Sequence, residues 1–113
     1  MRDQQMKADQ GKLMLELIPV SAYEGLGEVL TYGAEKYEPN GWKQVEPERY
    51  VGALLRHFTA YLNGEVFDKE SGLRHIDQVM CNAMFLSHFE RSEPECTGGI
   101  KWTEDGLRHV SNI

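Results

Sequence analysis

The sequence predicts an all-α fold, a small helical bundle of three main helices with an N-terminal arm and a C-terminal tail, completed by oligomerisation. Apolar residues recur at the helical period in three segments, and clusters of turn residues divide these segments. The 113 residues suit a single domain over 1–113, with an arm at 1–19, a helical core at 20–91 and a tail at 92–113. A monomer of this length buries only a small core, so partner subunits are expected.

The first helix is predicted from a capping box, in which Ser21 is followed three residues later by Glu24. The apolar period then continues to about Lys36. Upstream, alternating leucines at 13–17 predict a short extended piece that ends at Pro19. Residues 37–42 form a turn-rich loop after the helix.

The second helix is predicted to begin at Pro47, because proline suits the first position of a helix. Gly64 is a good residue to follow its end. The third helix is predicted to begin near Ser71 or Gly72 and to keep its apolar period to about Arg91. Residues 100–113 read as a weakly amphipathic tail.

Charge and composition exclude several classes of partner. The net charge is −6, from 18 acidic and 12 basic residues, which disfavours a nucleic-acid backbone as ligand. The two cysteines show no spacing typical of a disulfide framework or a zinc site. No apolar run is long enough for a signal peptide or a membrane span, so we expect a soluble, cytoplasmic protein without a membrane partner.

The densest group of chemically active residues lies between the second and third helical segments. Glu65, Asp68 and Glu70 fall within six positions, and His75 follows one turn later. Mg²⁺ is the simplest ligand for such a group, because it takes oxygen ligands and keeps waters for a phosphate substrate. The alternative is a polar loop in which Asp68 or Ser71 caps the third helix. His75 and Asn82 share a face of that helix, where they are either part of the site or a buried polar network.

A second group of carboxylates shares one face of the first helix. Glu24, Glu28 and Glu35 are spaced to lie along that face. They are either a stripe that shares metal ions or an ordinary solvated face. For Glu24 the capping role is the stronger interpretation, whereas the two interpretations are nearly level for Glu28 and Glu35.

Basic and aromatic residues provide candidates for substrate binding. Lys36 and Arg49 flank the loop that holds Trp42, which predicts a pocket for phosphate and base with Trp42 stacked on a nucleobase. The alternative for Trp42 is a loop anchored on the core. The fork of Arg56 suits a phosphate or a carboxylate. His57 is more simply a structural histidine.

These residues resemble the phage-associated dATP/dGTP diphosphohydrolase N-terminal family, over roughly residues 7–91. The matching motifs are Asp9-Gln10-Gly11-Lys12, Leu17-Ile18-Pro19, Gly33-Ala34-Glu35-Lys36-Tyr37 with Asn40 and Trp42, Arg49-Tyr50 with Arg56-His57, Gly64-Glu65 with Asp68, Glu70-Ser71-Gly72, His75 and Asn82. That family is grouped with the MazG-like all-α NTP pyrophosphatases.

The resemblance implies an Mg²⁺-dependent enzyme, in which Mn²⁺ can substitute, that forms a homo-oligomer (dimer or tetramer). It implies cleavage of a purine (deoxy)nucleoside triphosphate to the monophosphate and pyrophosphate. The site residues assigned on this basis are Glu65, Asp68, Glu70 and His75 for catalysis, Glu35, Glu65, Asp68 and Glu70 for metal, and Lys36, Asn40, Trp42, Arg49, Arg56, His57 and Asn82 for substrate.

The sequence departs from the MazG signature, which has EExxE on one helix and ExxD on a later one. The only literal ExxD is Glu65-Val66-Phe67-Asp68, at a helix end and loop, and Asp77 on the third helix has no glutamate three residues before it. This departure keeps open an alternative function, a non-catalytic nucleotide-binding or sequestering module. A third possibility is a helical protein–protein adaptor whose acids are only solvated.

Overall fold

A computed structural model of the chain describes residues 11–92 and 99–110. The described elements are a 3-10 turn Leu15–Leu17, helix α1 Val20–Lys36, a 3-10 turn Gly41–Gln44, helix α2 Pro47–Leu62, helix α3 His75–Ser92, and strands β1 Gly99–Thr103 and β2 Gly106–Val110. The prediction of a small bundle built on three helices is confirmed. The polar arm at 1–10 and the predicted linker at 97–98 lie outside the described residues.

Helix α3 organises the bundle, because it packs along α2 over much of its length and contacts α1 over a smaller area. The approach of α1 to α3 depends on Gly25, the one fully buried residue of α1 among those described. A Cβ placed on Gly25 would stand only 2.7 Å from Oδ1 of Asp77. A side chain at this position would therefore displace the Asp77 carboxylate or push the two helices apart.

The buried core is small and lies where α2 and α3 meet the Trp42 loop. Cys81 and Phe85 are the buried hydrophobic residues of the described chain. The Trp42 ring stacks on Phe85 with centroids 4.4 Å apart, and the Tyr50 ring lies 4.7 Å from the same phenyl ring. Burial raises the pKa of the Cys81 thiol to about 12, so this thiol stays protonated and contributes only packing.

Two predictions at the start of the chain are wrong. The capping box does not form: α1 starts one residue before Ser21, and its N-cap, Pro19, offers no side-chain acceptor. Leucines 13–17 do not form an extended piece, since Leu15–Leu17 is a 3-10 turn closed by the bond from Leu17 N–H to the Met14 carbonyl, 3.1 Å long.

The predicted beginning of α2 at Pro47 is confirmed, and Gly64 follows its C-cap with a φ of 90°. The third helix begins later than predicted, at His75 rather than near Ser71. Residues 68–73 instead form a closed turn, which Phe67 and Arg74 extend by pairing as an antiparallel bridge.

The C-terminal segment contains secondary structure that the amphipathic pattern did not predict. β1 and β2 form an antiparallel hairpin in which Thr103 pairs with Gly106. Gly106 has a φ of 103°, a conformation that glycine adopts at little cost. β2 also lies against α2. The hairpin is an addition to the helical core and does not replace any predicted helix.

Candidate active site in the loop between α2 and α3

The loop between α2 and α3 holds the carboxylate of Asp68 in a closed turn. The backbone N–H of Asp68 donates to the Leu73 carbonyl, and the Gly72 N–H donates to the Asp68 carbonyl, each at 2.7 Å. Gly72 permits this closure because its φ is 75°. The backbone N–H and the carbonyl of Asp68 are therefore both hydrogen-bonded, which fixes the point from which its side chain extends.

The Asp68 carboxylate receives donors on both of its oxygens. Ser71 Oγ donates to Oδ2 at 2.9 Å, Gln78 Nε2 donates to Oδ2 at 3.4 Å, and the Glu70 N–H donates to Oδ1 at 3.3 Å. Partial burial acts to raise the pKa of Asp68, but these hydrogen bonds outweigh it and hold the pKa below its usual range. The group is therefore an anion at neutral pH.

Two histidines face each other beside this turn. His57 Nδ1 on α2 and His75 Nδ1 on α3 are 2.9 Å apart, so one nitrogen must carry the proton that the other accepts. His75 is 4% exposed, and its Nε2 lies 3.4 Å from Glu65 Oε2. This distance allows an electrostatic contact, although the alignment does not make it a hydrogen bond.

The position of Glu65 decides which histidine donates. A carboxylate next to Nε2 of His75 favours the tautomer that carries its proton there, which leaves Nδ1 of His75 as the acceptor. His57 then donates to His75. Burial is the main cause that lowers the pKa of His57, and the neighbouring His75 ring adds to it, so His57 is neutral at physiological pH.

Lys36 connects the end of α1 to the same loop. Its Nζ lies 3.1 Å from Glu70 Oε1, and both side chains are largely exposed. The hydrogen bond to Glu70 is the main cause that raises the pKa of Lys36. The ammonium also lies 5.8 Å and 5.4 Å from the ring centroids of Tyr32 and Tyr37. A cation is thus held at the edge of the acidic loop.

The three loop carboxylates each have a different neighbour. Glu65 faces His75, Asp68 faces Ser71 and Gln78, and Glu70 faces Lys36. Within residues 11–92 and 99–110, no three side chains of the Asp, Glu, His and Cys types converge as a metal site would require. The assignment of metal ligands to the loop therefore stays a prediction.

The carboxylates of α1 line a separate open groove of about 540 Å³. The residues along it are Glu24, Gly27, Glu28, Thr31, Tyr32, Glu35 and Leu73. Glu35, a predicted metal ligand, belongs to this groove, and no contact with the loop carboxylates is found for it in the described residues. Its neighbour Lys36 is the residue that touches the loop.

Trp42 is held as an anchor of its loop. One face of the ring stacks on Phe85, its backbone carbonyl accepts a 2.6 Å bond from the Tyr50 hydroxyl, and the Lys43 ammonium lies 5.5 Å from the ring centroid. Asn40, two residues earlier, adopts a left-handed conformation with φ 63°, which turns the chain into the loop. Recognition of a base by these two residues stays a prediction.

The remaining predicted substrate residues are spread along α2 and α3. Arg49 and Arg56 are exposed on α2, and an Nη atom of Arg56 lies 3.2 Å from where a Cβ on Gly52 would be. Asn82 is buried on α3 and donates from Nδ2 to the Gln78 carbonyl at 2.7 Å. This bond uses one of the two Nδ2 protons of Asn82 within its own helix.

Comparison with protein families identifies the relatives of this chain. The family model described as dATP/dGTP diphosphohydrolase, N-terminal, matches residues 2–98. The chain belongs to this family. The match spans the acidic loop, both histidines and all three helices, so every predicted site residue lies in the part that this diphosphohydrolase family shares.

Neither the comparison with curated proteins nor the comparison with solved structures gives a match. Among residues 11–92 and 99–110, no helix combines the length and apolarity needed to cross a membrane.

Sequence reasoning assigned no site role to two residues that contact Asp68 directly, Ser71 and Gln78. It treated Ser71 only as a possible helix cap. One signal was present, since a glutamine three residues after His75 lies on the same buried face of α3 and must find polar partners there.

Proposed function

We propose that the chain is an Mg²⁺-dependent nucleoside triphosphate pyrophosphohydrolase that converts dATP or dGTP to the monophosphate and pyrophosphate. The match to the dATP/dGTP diphosphohydrolase N-terminal family over residues 2–98 is the observation that carries this proposal. The ordered acidic loop supports it, because the loop is the place where hydrogen-bonded carboxylates, a histidine pair and a cation come together.

The donor chemistry of the loop fits Mg²⁺. Mg²⁺ sites commonly use one or two carboxylates and complete the shell with waters and substrate phosphates, so three converging side chains are not needed. Asp68 is the first proposed ligand, because it is anionic and held in place. Glu65 and Glu70 are the proposed further ligands from the loop, and Glu35 is the proposed ligand from α1. When bound, Mg²⁺ supplies positive charge for the phosphates and lowers the pKa of a water ligand.

The side chains of the protein have distinct proposed roles in the reaction. The water oxygen bonds to the α phosphorus, the bond from that phosphorus to the leaving pyrophosphate breaks, and one proton of the water passes to the solvent. His75 would position that water through its Nε2 proton, because the ring is fixed by the contact of its Nδ1 with His57. Lys36, released from Glu70 by a competing phosphate, would stabilise charge on the leaving group.

The proposed binding of the substrate uses residues around the loop and on α2. Arg56 and Arg49 would bind phosphate oxygens, since both guanidinium groups are exposed on α2. Base recognition is proposed for Trp42, Asn40 and Asn82. For Trp42, the face opposite Phe85 would have to receive the base in place of Lys43.

Product analysis tests the proposed function. The chain is incubated with each of the four dNTPs and with Mg²⁺ or Mn²⁺, and nucleotides are separated by ion-exchange chromatography. Monophosphate and pyrophosphate in equal amounts from dATP or dGTP are expected. Release of inorganic phosphate and diphosphate would contradict the bond assignment. Nucleotide binding in a calorimeter with no product from any dNTP would favour the alternative, a non-catalytic nucleotide-binding module.

We also propose that the enzyme acts as a homo-oligomer in the cytoplasm, of the host cell if the chain is phage-encoded. Within residues 11–92, only Cys81 and Phe85 are buried hydrophobic residues. Large exposed hydrophobic residues include Leu13, Leu15, Leu17, Ile18, Val20 and Tyr23 near the start, and Leu55, Phe58, Tyr61, Leu62, Val66 and Phe67 on α2 and after it. An exposed apolar surface of this extent is typical of a protein interface.

Light scattering after size exclusion tests the assembly. The parent chain is expected at twice or four times its own mass. Leu55→Lys with Leu62→Lys, which charges the exposed stripe of α2, is expected to shift the mass towards one chain, whereas Ser87→Lys on the exposed side of α3 is the matched control. A parent that elutes at the mass of one chain at all concentrations would overturn this part of the proposal.

A further inference from the structure

The hydrogen bonds around Asp68 come from two side chains that meet from different elements. Ser71 lies in the loop itself, and Gln78 lies on the first turn of α3. Ser71 Oγ gives its only proton to Asp68 Oδ2. Its lone pairs then accept from the Leu73 N–H at 3.2 Å and from Gln78 Nε2 at 3.3 Å. The hydroxyl is fully used, so its orientation is fixed.

The Gln78 amide completes this arrangement from the other side. Its Nε2 lies 3.4 Å from Asp68 Oδ2 and 3.3 Å from Ser71 Oγ, and it donates to both in a bifurcated hydrogen bond. The reverse orientation would place the Gln78 carbonyl oxygen against a carboxylate, which is unfavourable. Gln78 is only 9% exposed, and a buried amide destabilises the fold unless it is hydrogen-bonded. A leucine or methionine at position 78 would fill the same space, so packing alone does not account for an amide there. Its contact with the Asp68 carboxylate does.

The two oxygens of Asp68 are left in different states. Oδ2 accepts from the side chains of both Ser71 and Gln78, whereas no side chain of the described residues is seen to donate to Oδ1, which accepts from the Glu70 N–H. A carboxylate oxygen has two lone-pair directions, so Oδ1 keeps one for a further ligand. The pair of side chains therefore both holds the carboxylate and selects which oxygen is offered.

We propose that Ser71 and Gln78 are positioning residues that hold Asp68 in one rotamer, with Oδ1 presented to the divalent ion or to a water next to the substrate. This inference rests on the proposed function for its kinetic consequences only. The orientation of Asp68 itself is a property of the chain alone and is measurable without substrate.

Four variants test the proposal. Gln78→Met keeps the length of the side chain but loses the donors, and Ser71→Ala loses the hydroxyl. Ser71→Thr keeps the hydroxyl and serves as the conservative rescue. Cys81→Ala, which removes a buried thiol from the same helix without touching Asp68, is the control for loss of stability alone.

Three readouts separate positioning from a structural role: the Asp68 rotamer in crystal structures, the affinity for Mn²⁺ by electron paramagnetic resonance, and kcat against KM. Residues that orient ligands of a metal typically account for about 10–100-fold in metal affinity or activity. Gln78→Met and Ser71→Ala are expected to release the Asp68 rotamer and to lower Mn²⁺ affinity and kcat by about that factor, with little change in KM. A double variant that combines Gln78→Met with Ser71→Ala is expected to lose less Mn²⁺ affinity and kcat than the product of the two single losses, because both donors act on one oxygen.

Ser71→Thr is expected to stay within about three-fold of the parent, and Cys81→Ala to lower the Tm without changing kcat per folded enzyme. The proposal is overturned if Gln78→Met lowers the Tm as Cys81→Ala does but leaves the Asp68 rotamer, Mn²⁺ affinity and kcat as in the parent. If the parent hydrolyses no dNTP, the proposed function fails, and the rotamer in the crystal structures still decides the positioning claim.

Discussion

The molecule carries two groups of carboxylates, one in the loop between α2 and α3 and one along α1. The two groups differ in exposure and in the hydrogen bonds that hold them. In the loop between α2 and α3, Asp68 is half-buried and receives three donors. Along α1, Glu24, Glu28 and Glu35 are exposed and line an open groove. The first group is organised before any ligand arrives, whereas the second is an accessible acidic surface. Organised charge costs no rearrangement during a reaction, which favours the loop as the reacting centre.

The largest expected difference between the two groups is in turnover. Asp68→Asn keeps the size of the side chain but removes the negative charge, so pyrophosphate release is expected to fall by at least about 100-fold with the fold intact by circular dichroism. Glu28→Gln, the matched change in the α1 groove, is expected to stay within a few-fold of the parent. Loss of activity in Glu28→Gln with normal activity in Asp68→Asn would reverse the assignment.

The two regions are also expected to differ in stability. Phe85 is 8% exposed and contacts Trp42 and Tyr50, so Phe85→Ala should reduce the free energy of unfolding by about 3–5 kcal/mol. Ser21 on α1 is exposed, and Ser21→Ala should change the free energy of unfolding by less than about 0.5 kcal/mol. Urea unfolding followed by circular dichroism measures both. Equal effects would mean that the Trp42 loop is not the centre of the core.

A smaller effect is expected from the pH dependence of the histidine pair. Burial first, and then repulsion from His75 and Arg56, lower the pKa of His57, although Asp68 and Glu70 oppose this shift. A histidine with a lowered pKa in the folded state contributes its full stability above its unfolded pKa of about 6.5, and this contribution is lost as the pH falls from there through the folded pKa.

Urea unfolding at pH 7.5 and at pH 5.5 measures this loss. The parent is expected to lose stability between the two values, and His57→Gln is expected to lose less. If the free energy of unfolding changes equally with pH in the parent and in His57→Gln, then His57 is solvated in the folded state.

The smallest expected effect concerns the ion pair that joins the two regions. Lys36 and Glu70 are exposed, so Lys36→Met should change the free energy of unfolding by no more than about 1 kcal/mol. If Lys36 binds phosphate as proposed, Lys36→Met raises the KM for the nucleotide. Added salt then raises the KM of the parent towards that of the variant. A variant with an unchanged KM would leave Lys36 with only its contact to Glu70.

Local patterns in the sequence predicted the helices well. Apolar periodicity and a proline at the first helical position, such as Pro47, are signals contained within the helix itself. The start of α3 was not predictable in the same way. Ser71 looks like a helix cap in sequence, but its hydroxyl is used by Asp68, and the turn so formed delays the helix to His75. That choice depends on Gln78, which the folding of α3 brings back to the loop.

The sequence offers candidate site residues, but it does not predict how the structure arranges them. The density of charge in the sequence identified the acidic loop. It did not show that each loop carboxylate contacts a different residue, His75, Lys36 or Gln78, because these contacts join residues 10–34 positions apart in sequence. The pairing of His57 with His75 joins α2 to α3, and no spacing within either helix indicates it. Glu35 was grouped with the loop on the basis of a motif, whereas its helix directs it into the α1 groove.

The central claim is that the loop carboxylates, with Asp68 first, hold the divalent ion, and that Glu24 and Glu28 of α1 do not. An anomalous difference map from crystals grown with Mn²⁺ and a non-hydrolysable dGTP analogue tests it most directly. The account predicts a peak within about 2.0–2.3 Å of Asp68 Oδ1 and of a phosphate oxygen. A peak held by Glu24 and Glu28, with none near Asp68, would contradict it.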